Sequence, residues 1–324
     1  MIRRSVKKLF KRALRHPRLK PFFSDMQTIW REARAEQAQS LTEVLAMADV
    51  PEITPIALRT STVDAAARLN LLVPALSDQH VFGGIATALR CLDALRAHFT
   101  SVRILVTDEG AITPGKQSFY GDWPLHTLAQ DDCAGSHIVS CGMRQGLALP
   151  VHDQDVFMAT AWWTAHLAFP VLEWQDARFG VDPRRRLLYL IQDFEPGFYP
   201  WSDRYALADA SYRHPERTNA LFNTGILAGF FEREGYRFAS RHGLEPRLNP
   251  TLAAARSRIE AFSKERVILV YGRPSVARNA FGLILAALKL WAREYPGAAQ
   301  WQVVSAGEAF APVELGPGST LQSL

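Results

Sequence analysis

Six short apolar runs constrain the fold of this chain more than any other feature. They are residues 69–74 (LNLLVP), 102–107 (VRILVT), 136–140 (SHIVS), 156–160 (VFMAT), 187–191 (LLYLI) and 219–223 (NALFN). A run of this length, bounded by turn formers, fits a strand that is buried on both faces. Segments with helical spacing of apolar residues lie among them, over 85–98, 162–169, 202–212 and 225–234. Strands and helices in this alternation predict an α/β protein with a mainly parallel sheet covered on both sides.

A further run opens the segment 267–292, VILVYGRPSVARNAFGLILAALKLWA. It reads as a buried strand (267–271), a Gly-Arg turn and an amphipathic helix (279–294), with one more strand at 301–305. The segment follows a whole α/β domain's worth of chain, so it predicts the start of a second nucleotide-type domain. Residues 240–264, with Pro246 and Pro250, suit a connection between the two. The expected organisation is a helical arm over 1–60, a Rossmann-like domain over 61–245, and a linker with an incomplete second domain over 246–324. The last ten residues, 315–324, read as a Gly/Ser/Pro-bearing tail.

Charge is concentrated at one end. The net charge is +5, yet residues 1–20 hold nine Lys/Arg and no acid, which leaves the body slightly acidic. A global basic-protein argument for nucleic acid is therefore excluded. Within the arm, Ile2, Val6, Leu9, Phe10, Ala13 and Leu14 share a helical stripe ringed by basic residues. That pattern is expected of a helix lying on an anionic membrane surface. A solvated arm would carry the same charges, whereas nucleic-acid binding lacks aromatic interleaving or a reader motif. No run approaches the ~20 apolar residues of a membrane span. Cys91, Cys133 and Cys141 form no CxxC pair, which suits a reducing compartment and a cytoplasmic location. The histidines form no HExxH, and GxSxG and the P-loop pattern are absent, so no metal site is expected.

In open α/β sheets, ligands bind beyond the carboxyl ends of the strands. Three stretches there carry chemistry. The first, Asp78-Gln79-His80-Val81-Phe82-Gly83-Gly84, brings two glycines into a helix start, where backbone N–H groups meet an anion or a sugar hydroxyl. A tight turn is the plain alternative. The second, Gln192-Asp193-Phe194-Glu195-Pro196-Gly197-Phe198-Tyr199, follows a buried strand with an amide, two carboxylates and aromatics. These suit sugar hydroxyls, a developing cation or general-base work; a loop with a capping Asp and packed rings is the alternative. The third, Gly272-Arg273-Pro274 with Arg278-Asn279, offers two guanidinium forks near a helix start, suited to a diphosphate without a metal. Surface arginines on a solvated turn are the alternative. Trp162-Trp163 reads first as core.

With these stretches in place, the chain resembles the retaining glycosyltransferases of GT-B type, in glycosyltransferase family four. Within them it is similar to the rhamnosyltransferases that build bacterial S-layer and cell-surface glycans. The resemblance spans roughly 65–318. It rests on NLLVPALSDQHVFGGIATAL, LLYLIQDFEPGFYPWSDRYALADASY, TNALFNTGILAGFF and VILVYGRPSVARNAFGLILAALKLW. It implies two Rossmann-like domains facing a cleft, the first for acceptor and the second for a dTDP-rhamnose-like donor.

Gly83, Gly84, Arg273 and Arg278 then match the contacts to the donor diphosphate, with Arg278 standing where the wider family commonly has Lys. Gln192-Asp193 falls where many members have His-Asp. Asp193 and Glu195 become the expected catalytic carboxylates, and His80, Gln192, Tyr199 and Asn279 the expected sugar and acceptor contacts. No cofactor and no metal are implied. Members continue for well over a hundred residues further, so a truncated second domain is expected. The expected function is transfer of L-rhamnose from dTDP-rhamnose to a growing surface glycan, with retention, at the cytoplasmic face of the membrane. The acceptor would be a glycan or a lipid-linked sugar. The alternative is a non-catalytic glycan- or partner-binding module of the same fold.

Overall fold

The computed structural model describes residues 50–63, 67–77, 83–110, 119–130, 132–245, 248, 250–260 and 263–324. The helical arm expected over 1–60 lies outside the described residues as far as residue 49, as does His80.

Eight parallel strands form the larger sheet. In chain order they are β2 (Arg68–Val73), β3 (Ser101–Val106), β4 (Leu125–Thr127), β5 (His137–Ser140), β7 (Asp155–Ala159), β8 (Leu187–Ile191), β9 (Thr218–Phe222) and β10 (Ser240–Gly243). Their spatial order is β10-β9-β8-β7-β2-β3-β5-β4. Two further strands, β1 (Ala57–Thr60) and β6 (Ala148–Val151), pair in parallel beside it. The α/β class and the Rossmann-like parallel sheet expected from the sequence are what the structure shows.

The continuous apolar runs have a simple cause: both faces of the sheet are covered. On one face Leu69, Leu71 and Val73 of β2 and Ile104 and Val106 of β3 pack with Ala88, Leu89 and Leu92 of α1 (Gly83–Leu95). On the other, Leu72, Leu105, Phe157 and Tyr189 pack with Ala165, Ala168 and Leu172 of α2 (Trp162–Phe179). Helix α2 is longer than the expected 162–169, because it runs straight through Pro170. An interior proline forfeits one backbone bond. Here burial of Val171 and Leu172 against the sheet, and of Gln175, whose amide donates to the His152 and Asp155 carbonyls, carries the helix onward.

Helices α3 (Asp203–Ala210) and α4 (Gly225–Arg233) each start on a side-chain cap, Ser202 accepting from the Tyr205 N–H and Thr224 from the Leu227 N–H. Helix α5 (Pro250–Glu260) follows.

The second sheet has four strands in the order β11 (Val267–Gly272), β12 (Gln302–Gly307), β14 (Ser319–Ser323), β13 (Val313–Gly316). Its small core joins Leu288 of α6 (Phe281–Glu294) to Val303, Leu315 and Leu321. The segment read as a tail is thus part of a hairpin. Pro317-Gly318 turns it, with Gly318 at φ 71°, and Leu315 and Leu321 bury their side chains. The carboxyl ends of β11 and β12 approach closely. A Cβ on Gly307 (φ +135°) would overlap the Gly272 carbonyl, so only glycine fits there.

Candidate functional site

A cleft of about 370 Å³ opens at the carboxyl edge of the larger sheet. Its walls come from six places in the chain, Pro74 at the end of β2 among them. The first turn of α1 gives Gly83, Gly84 and Thr87; the loop after β8 gives Gln192, Asp193, Glu195 and Phe198; the loop before α6 gives Arg278. The ends of β7 and β9 add Thr160, Ala161 and Asn223, and α2 adds Trp163. The three stretches singled out in the sequence therefore meet, although nearly 200 residues separate Gly83 from Arg278.

Each wall is fixed by local structure. A Cβ on Gly83 would meet no protein atom, and one on Gly84 would lie 3.5 Å from the Gln192 amide. Side chains at these two positions would fill cleft space rather than clash with the fold. The first-turn N–H groups of a helix have no partner within the helix, and its start carries a partial positive charge. The Gln192 backbone is pinned by Asn223, whose Nδ2 donates to its carbonyl at 2.8 Å. Thr164 closes the start of α2, its hydroxyl accepting from the Thr160 and Ala161 N–H groups at 3.0 and 2.9 Å.

Arg278 holds the cationic position. Its guanidinium lies 4.0 Å from the Phe198 ring centroid and 3.5 Å from the Asp193 carboxylate. Both side chains of that ion pair are about half exposed, at 49% and 56%. Such a pair is weak and opens readily for a stronger anion.

Glu195 behaves differently. Its carboxylate accepts from the Trp162 N–H at 2.7 Å, at the start of α2, and from the Tyr212 hydroxyl at 3.2 Å. Removal from water pushes its carboxyl up to about 7; the two hydrogen bonds oppose that rise, Asp193 adds to it and Arg278 opposes it. A carboxyl group titrating near neutrality can give or take a proton.

Other expected residues sit elsewhere. Arg273 is not on the cleft wall; its Nε lies 3.4 Å from Glu308, and Glu308 also binds the Ser275 N–H and hydroxyl. Asn279 shapes the turn, accepting from the Arg273 N–H at 2.8 Å and donating to the Tyr271 carbonyl at 3.0 Å. The Tyr199 hydroxyl accepts from the buried Trp162 indole at 3.1 Å. Reading Trp162-Trp163 as core holds for Trp162 alone, since Trp163 lines the cleft. Thr160 and Asn223 were missed, yet each directly follows a strand, the position where α/β sheets carry ligand contacts.

Among the described residues, no three His, Cys, Asp or Glu side chains are grouped to ligate a metal. No helix among them is long and apolar enough to cross a membrane.

Two known domain types match the chain in order. Residues 68–225 match the WsaF N-terminal domain and residues 266–324 match the WsaF C-terminal domain. Among curated proteins, the chain is similar to the O-antigen biosynthesis protein RfbC of Myxococcus xanthus, at 29% identity over 307 residues. That alignment takes in 88% of this chain and 21% of RfbC, so the chain spans about a fifth of that relative's length.

Proposed function

Because the chain carries both WsaF domains, in order and over about two thirds of its length, we propose that it is a glycosyltransferase of surface-glycan assembly. In this reading the cleft beside Gly83, Gly84 and Arg278 takes the donor diphosphate. The observation that carries it is the meeting of a glycine-opened helix start with one half-exposed arginine. Dipole and guanidinium fork together suit a diphosphate and stabilise its charge as it leaves. The Arg278–Asp193 pair must open to admit it.

We further propose the finer assignment: a GT-B member of family four, using dTDP-rhamnose and retaining configuration. An acceptor hydroxyl oxygen would bond to the sugar's C1 on the face the diphosphate leaves. The C1–O bond to the diphosphate breaks, and the hydroxyl proton passes to the departing phosphate oxygen. In this reading Asp193 and Glu195 would face the sugar, holding hydroxyls and the developing cation. Gln192 replaces a histidine common in the family and suits a 6-deoxy sugar. Arg273 would support the turn that presents Arg278.

Calorimetric titration of this chain with dTDP-, UDP- and GDP-sugars tests the reading. Binding of a dTDP-sugar supports it, and no binding to any of the three overturns it. The arm of residues 1–20 is proposed to hold the enzyme on an anionic membrane. Its deletion should release the protein from phosphatidylglycerol vesicles, and undiminished binding would sink that role.

A further inference from the structure

One wall of the cleft, at Pro74, Thr160, Ala161 and Trp163, borders a further polar group at the same sheet edge. The order β8-β7-β2-β3 sets the ends of β7, β2 and β3 side by side. Thr160-Ala161, Pro74 and Thr107-Asp108 therefore form one ledge, and the Asp108 N–H donates to the Pro74 carbonyl at 3.0 Å. Trp163 stands over this ledge, lining the cleft. Its indole N–H donates to Asp108 Oδ2 at 2.9 Å, while the Thr107 hydroxyl donates to Oδ1 at 2.7 Å.

The pair is held still. The Trp163 ring meets the buried Trp162 edge-on at a centroid distance of 5.6 Å. Below Asp108, Arg144 donates to the Thr107 carbonyl at 2.9 Å and to the Thr54 carbonyl at 2.8 Å. Each Asp108 oxygen has accepted one bond and has capacity for more, and the residue is exposed.

An indole face beside a carboxylate is a recognisable chemistry. A pyranose has an apolar C–H face, which the indole can cover, and a rim of hydroxyls, which a carboxylate accepts well. A negative ligand would be repelled by Asp108, so the occupant is neutral. The donor diphosphate is thus sorted to the Arg278 end. We propose that Trp163 and Asp108 form a subsite for a neutral pyranose of the acceptor glycan, the indole carrying the ring and the carboxylate taking its hydroxyls. This inference rests on the transferase reading and adds two specificity-determining residues to it.

Saturation-transfer NMR on the full chain tests it. The probes are methyl α-L-rhamnopyranoside, methyl α-D-mannopyranoside and methyl α-D-glucuronide, each with and without dTDP. Neutral glycosides should receive saturation and the glucuronide little. W163A and D108N should each weaken the neutral signal about five-fold or more, and W163F, which keeps an aromatic face, should recover part of it. Affinity for dTDP, measured by calorimetry, should stay unchanged in D108N. Sugar signals that are absent in the wild type, or unaltered by both W163A and D108N, overturn the subsite whatever dTDP does. Sugar signals that respond to the variants in a protein that never binds dTDP would support the subsite and overturn the transferase reading.

Discussion

The two ends of the larger sheet use the same kinds of charged residue in opposite ways. In its amino half, Arg68 grips Asp155 with two bonds of 2.8 Å, and Arg103 lies 3.7 Å from the same carboxylate. All three side chains are buried. Burial opposes ionisation of Asp155, but the bonds from Arg68 and the charges of both arginines outweigh it and hold the carboxyl below its usual range. At the carboxyl edge, the Arg278–Asp193 pair is longer, half exposed and open to exchange, and Glu195 is pushed toward neutrality. Charges closed on one another fix three strands; charges left partly unsatisfied remain available to a ligand.

The sharpest way to break this contrast is at Asp155. D155A removes the carboxylate that offsets the charge of two buried guanidinium groups and should lower stability by about 3–5 kcal/mol, read by urea unfolding. A neutral result would mean that the amino-end network is not structural.

Glu195 gives the next largest effect. Its carboxyl titrates at about 7 when folded, against 4.5 as the ordinary value. The folded state therefore binds the proton more tightly. That stabilisation is complete below pH about 4.5 and is lost as pH rises through 7. E195Q should remove the loss, gaining on the wild type by about 3 kcal/mol at most between pH 4 and 8. Parallel pH–stability curves for the two proteins would refute a raised carboxyl.

Arg278 and Arg273 separate cleft from turn. R278A should weaken dTDP-sugar binding by about 30-fold, near 2 kcal/mol, while leaving unfolding within about 0.5 kcal/mol. R273A should weaken binding far less, because its guanidinium faces Glu308. Equal losses in the calorimeter would return Arg273 to the donor site.

The smallest effect concerns strain. Ala280, two residues after Arg278, opens α6 at φ 53°, a left-handed conformation that costs an alanine about 1 kcal/mol. A280G should raise stability by about that amount in thermal unfolding. If it does not, strain is not stored at this edge.

Much of this was legible in the sequence. The LLYLI run matches β8 at both ends, and the stretches containing Gly83, Asp193-Glu195 and Arg278 do meet. Three of the missed strands share a cause. Residues such as those of β1 (ALRT), β4 (LHT) and β10 (SRHG) form no apolar run. They are strands because a neighbour pairs with them, Ser240 opposite Asn219 for example. The hairpin of β13 and β14 escaped notice because its glycines and serines resemble a tail, and only Leu315 and Leu321 reach the core.

What the sequence determined alone was the apolar strands and amphipathic helices of the core and the chemistry of each loop, since apolar periodicity and turn residues are local properties. What only the tertiary structure decided was who stands beside whom. The order β8-β7-β2-β3 brings Trp163 to Asp108, 55 residues apart, and the second sheet delivers Arg278 rather than Arg273 to the cleft. Both depend on pairings between distant strands, which no local pattern encodes.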